Sequence, residues 1–163
     1  MKKVLIEINN YLLDRKIFLC AKPIVIGDNA MCWHGIKREK GTTELIINNE
    51  DFEMIREKQY TIKDVWGDLG VKIGKMDIWR SYSLFDYDFY SKGAIELESF
   101  LIISFEQLIF TKILKMDNKK DLDDLEIIKD YYFRTFRNNE YVLNALSSYG
   151  KYKESPNGIV YLS

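Results

Sequence analysis

Apolar residues recur at helical spacing from the start of the chain: Val4, Leu5, Ile8, Leu12 and Leu13. That period predicts a helix, with Asn9 and Asn10 as weak formers inside it. Ile17, Phe18, Leu19 and Cys20 either finish that helix or make a short strand. Pro23 opens a new element, because its ring clashes with a preceding helical turn. From Pro23 to Ile26 the chain is apolar and β-branched, which predicts a strand ending at Gly27. Glycine permits a tight turn there, and Asp28 or Asn29 is placed to cap a helix running through Met31 and His34. A charged loop, Ile36-Lys37-Arg38-Glu39-Lys40-Gly41, leads to Thr42 and Thr43, either of which can bond the turn backbone. Glu44-Leu45-Ile46-Ile47 predicts the next strand, and alternation puts Glu44 and Ile46 on one face of it.

Asp51 to Glu57 predicts a short amphipathic helix with Phe52 and either Ile55 or Met54 inward. Tyr60, Ile62 and Val65 alternate loosely, and Trp66-Gly67-Asp68-Leu69-Gly70 reads as a turn. Val71 and Ile73 lead to a further strand, Met76-Asp77-Ile78-Trp79, with an aspartate among apolar residues. Residues 80–93 have no clean period and carry Tyr82, Phe85, Tyr87, Phe89 and Tyr90. They suit either a loop lining an acceptor pocket or a satellite hydrophobic cluster. Ala94 to Glu98 and Phe100 to Ile103 fit two short strands or one bulged strand. Ser104-Phe105-Glu106-Gln107 matches a capping box ahead of Leu108, Ile109, Ile113 and Met116 at helical spacing. Asp121 is placed to cap another helix, with Asp124 in its first turn and Leu125 and Ile128 inward. Asn139 to Ser148 predicts a final helix stopped by Gly150, and Pro156-Asn157-Gly158 predicts a turn into an edge strand or docking segment.

A chain of 163 residues, 47% hydrophobic, fits one domain with a real core, spanning 1–163 with its centre at about 20–130. With 24 basic and 25 acidic residues the net charge is −1, which supplies no global field for nucleic acid and no strong DNA-binding signal. Cys20 and Cys32 form no CxxC pair, so structural zinc and a disulfide framework are not expected. Glu7 interrupts the first apolar run too early for a signal peptide, and no run reaches the length of a membrane span. A cytoplasmic location with no membrane partner is expected. His34, the single histidine, cannot build a His-rich metal site. It suits a base, a substrate contact or a structural helix end.

The stretch from Pro23 to Asp77 resembles the nucleotidyltransferase superfamily. The family pattern is an apolar strand, Gly-Gly or Gly-Ser, a helix, Arg-x-Thr-x-Asp-x-Asp, and later a further Asp on a strand. Here Gly27 and Asp28 stand at the glycine pair, Lys40 at the arginine and Thr42 at the threonine. Glu44 stands at the first metal carboxylate, Ile46 at the second and Asp77 at the third. Ser104-x-Glu106-x-Leu108-Ile109-x-x-Lys112 is similar to a family helix opening whose lysine lies near the nucleotide phosphates or holds the acidic strand. Lys120-Asp121-x-x-Asp124-Leu125 is similar to a pattern of the abortive-infection and antibiotic-adenylating groups. These matches cover residues 20–130.

The resemblance implies an α/β or α+β fold: a small, mixed, twisted sheet flanked by helices, with a helical C-terminal third. It implies Glu44 and Asp77 as metal and catalytic residues, with Gly27, Asp28, Lys40, Thr42 and Lys112 on the nucleotide. Mg2+ and a nucleoside triphosphate are the implied ligands. Two carboxylates two residues apart clamp a metal pair from one strand face, whereas Ile46 offers no ligand atom. Two function classes follow. The first is a catalytically degenerate nucleotidyltransferase-fold protein that binds a nucleotide or partner in the ancestral cleft. The alternative is an active metal-dependent enzyme moving a nucleoside monophosphate onto a hydroxyl of a small molecule, protein or RNA.

Overall fold

The computed structural model of the chain describes residues 2–36, 41–58, 60–65, 67–115 and 119–135. The chain divides into two compact units, Met1–Leu125 and Glu126–Ser163. The first holds α1 (Lys2–Asp14), β1 (Ile24–Ile26), α2 (Gly27–Trp33), β2 (Thr43–Ile46), α3 (Asn49–Arg56), β3 (Thr61–Val65), β4 (Asp68–Ile73) and β5 (Met76–Trp79). It continues through β6 (Ser81–Tyr82), β7 (Phe85–Asp86), α4 (Tyr87–Ser91), β8 (Ile95–Glu96), β9 (Leu101–Ile102), α5 (Phe105–Leu114) and the start of α6 (Lys119–Thr135). The described part of the second unit is the remainder of α6. Within it, Lys129 pairs with Glu126 and Arg134 with Asp130 at helical spacing.

Seven strands form one mixed, twisted sheet in the order β3-β4-β5-β2-β1-β9-β8, and β6 and β7 make a separate hairpin. β1 runs antiparallel to β2 and parallel to β9, and β2 runs parallel to β5. Register partners share a face of the sheet. One row across five strands is therefore Ile102, Val25, Leu45, Ile78 and Val71, each at most 1% exposed. This row is part of the apolar core. The opposite face carries two different rows. One runs Ile26, Glu44, Asp77, Lys72; the next runs Ile24, Ile46, Trp79, Gly70, Lys63. Ile24, Ile26, Ile46 and Trp79 of these rows are buried as well, and Glu44, Asp77, Lys72 and Lys63 share their face.

The mixed sheet with flanking helices and a helical stretch in α5 and α6 agrees with the expected fold class. Several local readings are corrected. Gly70 belongs to β4, not to a turn: it lies against the Trp79 ring, in space that a side chain would fill. The helix after Gly27 takes Ile26 as N-cap with no side-chain bond, so neither Asp28 nor Asn29 caps it. Asp121 sits inside the first turn of α6, and its carboxylate accepts from Lys112 rather than capping. Ser104 does cap α5 by accepting from the Gln107 N–H at 3.1 Å. The Gln107 amide Nε2, however, donates to the Phe89 carbonyl and its Oε1 has no hydrogen-bond partner, so the reciprocal half of the box is absent.

The aromatic segment 80–93 is a hairpin followed by a short helix, not a loop. Ser83 and Leu84 form its tip with φ of 53° and 67°, a left-handed pair for which glycine and asparagine are the usual residues. The buried Asp68 carboxylate holds this tip by accepting from both of their N–H groups, at 2.6 and 2.7 Å. Phe85 packs on Phe89 and Phe110 with ring centroids 4.3 and 5.4 Å apart, a satellite cluster beside the sheet. The expected helix over 139–148, the tail strand, Met116 and Lys40 lie outside the described residues.

Candidate functional site

Glu44 and Asp77 are direct register partners on the parallel strands β2 and β5. Neighbouring strands lie about 4.8 Å apart, so both carboxylates leave the same face within reach of one cation. They come from residues far apart in sequence, and only the β2–β5 pairing joins them. Gly27 completes the floor. Its φ is +61°, and a Cβ there would collide with the Glu44 carboxylate. Glycine is therefore required both by the turn from β1 into α2 and by the carboxylate lying over it.

Asp77 is 8% exposed, and its Oδ2 accepts from Lys63 Nζ at 2.7 Å. Its Oδ1 is buried and has no hydrogen-bond partner. Lys63 reaches Asp77 from two strands away, and over Gly70, its own register partner, lies the Trp79 ring. On the way its ammonium stands 4.7 Å from the Trp79 ring centroid, a cation–π contact. Ile46, two residues along β2 from Glu44 and on the same face, is fully buried and is the register partner of Trp79.

Burial pushes the Glu44 carboxyl above its ordinary value, and the nearby Asp77 adds to this. Lys115, Lys112 and Lys120 pull it the other way, which places three ammonium groups in its field. Lys115 lies 3.4 Å from the Tyr82 ring centroid and 4.0 Å from Asp68, and burial lowers its pKa. Burial, with the Glu44 charge next, drives the Tyr82 hydroxyl well above the usual phenol value. The face is thus a carboxylate pair bordered by lysines and two aromatic rings.

A pH consequence follows from Glu44. Its folded pKa lies above the ordinary 4.5, so the folded protein holds this proton more tightly than the unfolded chain does. Ionised Glu44 then costs stability, and the cost grows as pH rises above 4.5. Glu44→Gln should stabilise the unliganded protein near neutral pH. The gain should fade toward about pH 4. Urea unfolding at both pH values checks this.

The second cluster joins the other motif residues. Lys112 Nζ, buried on α5, donates to Asp121 Oδ1 at 2.6 Å and to Asp124 Oδ2 at 2.7 Å. Burial opposes its charge, but the two carboxylates outweigh that, and its pKa ends above the ordinary lysine value. Lys120 Nζ donates to Asp28 Oδ2 at 3.1 Å. Asp28 is buried against Gly41, with its charge offset by that lysine. The residues of the two helical motifs therefore bind one another and the Gly27-Asp28 turn.

Among the predicted site residues, the structure brings Gly27, Glu44 and Asp77 together, with Lys112 acting on Glu44 through its field. Thr42 is exposed and lines a separate cavity of about 710 Å³ with Asn29, Tyr11 and Lys72. A second cavity, about 680 Å³, is lined by Asn48, Arg80, Leu84, Phe85, Tyr87 and Asp88. Neither cavity includes Glu44 or Asp77. His34 ends α2, and its Nε2 lies 2.9 Å from the Ile103 carbonyl, a structural contact. Among the described residues no cluster of three or more His, Cys, Asp or Glu side chains stands at metal-binding spacing. No described helix is long and apolar enough to cross a membrane.

Sequence reasoning missed Lys63, Trp79 and Lys115. Lys115 follows Lys112 by one helical turn, and that spacing was a usable signal. Lys63 had none, since its partner is set by strand pairing alone. In comparisons with known proteins, no family model, no curated protein and no solved structure matches this chain.

Proposed function

We propose that the Glu44–Asp77 cleft is a nucleotide-binding site of the nucleotidyltransferase kind that has lost turnover. The observation carrying this reading is the register pairing of Glu44 with Asp77 over Gly27, with lysines surrounding Glu44. Gly27 leaves room for the Glu44 carboxylate at the turn, and ammonium groups offset polyphosphate charge. The donor set fits one magnesium ion on Glu44 that keeps most of its waters. It does not fit a metal pair, because Ile46 is buried and apolar and Asp77 is engaged by Lys63. Loss of the second carboxylate favours binding over transfer to a small-molecule, protein or RNA acceptor.

Binding to the native state alone raises apparent stability with the logarithm of ligand concentration. Millimolar nucleoside triphosphate with magnesium should raise the melting temperature of the wild type. The gain should shrink in Glu44→Gln. Identical responses in both proteins would remove Glu44 from the site. Label transfer from a nucleoside triphosphate to an acceptor in cell extract, lost in Glu44→Gln and Asp77→Asn, would instead establish the active enzyme.

A further inference from the structure

The two facing carboxylates are not equivalent. Asp77 is already neutralised by Lys63, whose ammonium sits 2.7 Å from Oδ2. That ammonium is held in place: it stands over the Trp79 ring, which itself lies on Gly70. Asp77 Oδ1, beside it, is buried without a partner, as is Nε1 of Trp79 on the same face of β5. A cation shared by Glu44 and Asp77 would have to meet this carboxylate, and the lysine stands on it.

We propose that Lys63 is the resident cation of this cleft: at Asp77 it holds the position a divalent ion would otherwise take between the two carboxylates. Lys63 and a divalent ion therefore compete for Asp77. The geometry gives three reasons. First, Lys63 arises on β3, outside the strands that carry the pair, and it reaches Asp77 over the Trp79 ring, which the bare Gly70 accommodates. Second, an ammonium pressed on an indole face is retained more firmly than one in water. Third, a built-in positive charge neutralises Asp77 without the dehydration that magnesium resists. The inference deepens the nucleotide-cleft reading and rests on it for the ligand: the polyphosphate of a nucleoside triphosphate would meet Lys63 as a fixed cation. Such a ligand needs at most one divalent ion, carried at Glu44.

The test uses Mn2+ alone as probe, followed by electron paramagnetic resonance on the full chain. Wild type should bind Mn2+ weakly. Lys63→Met should bind it about tenfold more tightly or better. Adding Asp77→Asn to Lys63→Met should abolish the gain, and Lys63→Arg should stay as weak as wild type. Equal affinity in wild type and Lys63→Met would overturn the proposal, as would a gain that survives Asp77→Asn. If Lys63→Met does not fold, as circular dichroism would reveal, Lys63→Gln is read by the same criteria. Nucleotide binding by wild type is measured separately. Its absence would reject the nucleotide reading while the Mn2+ competition still decides the role of Lys63.

Discussion

Lys112→Met should destabilise the protein by about 3–5 kcal/mol, the usual cost of removing one partner from a buried ionic group. For a chain of this length that is a fall in melting temperature on the order of 10 °C. The side chains of Lys112, Asp121 and Asp124 are 7%, 12% and 3% exposed, so water cannot replace the lost ammonium. Two carboxylates three residues apart on α6 would then be left without their ammonium partner from α5. The physical reason for the cost is uncompensated charge rather than a lost attraction. The triple variant Lys112→Met, Asp121→Asn, Asp124→Leu should therefore recover much of the stability. Thermal and urea unfolding of the single and triple variants measures this. A single variant as stable as wild type would show that the cluster is open to water.

Ile46→Asp should be comparably costly, about 4 kcal/mol or more, because it combines a lost buried isoleucine with a new buried carboxylate. Ile46 has no exposed surface and is the register partner of both Ile24 and Trp79. The same change puts a second carboxylate two residues from Glu44 on β2, and residues 44 and 46 share a face. Magnesium or manganese with nucleotide should therefore raise its melting temperature by more than it raises that of wild type. The experiment is a thermal melt with and without metal and nucleotide. An unchanged shift would mean that residue 46 does not reach the ion. The packing also explains the present residue: a carboxylate in this position needs a permanent counter-ion, and the chain already commits Lys63 to Asp77.

Legibility followed the range of the interactions. The strand ending at Gly27, the helix after it and the strand carrying Glu44 were readable because each is set by neighbouring residues. The cap at Ser104 was readable for the same reason. Asp121 was misread because an aspartate near a helix start looks alike whether it caps the helix or pairs with a distant lysine. Gly70 was misread because glycine marks a turn far more often than a floor for an aromatic ring. Glu44 and Asp77 were singled out through their motif positions, and the β2–β5 pairing sets them side by side. Lys63 depends on β3 lying beside β4 and β4 beside β5, a pairing that no local pattern encodes. The hairpin at 81–86 was hidden by its unusual turn, in which Ser83 and Leu84 occupy positions normally taken by asparagine and glycine.

The central claim is that the ligand enters over Glu44 and Asp77, although the two large cavities lie elsewhere. The direct measurement is a titration of isotope-labelled protein with magnesium and a nucleoside triphosphate, followed by backbone amide nuclear magnetic resonance. Saturable shifts should centre on Gly27, Glu44, Lys63, Asp77 and Lys115, and should weaken in Glu44→Gln. Shifts confined to Asn48, Arg80 and Asp88, or no saturable shift at millimolar nucleotide, would contradict it.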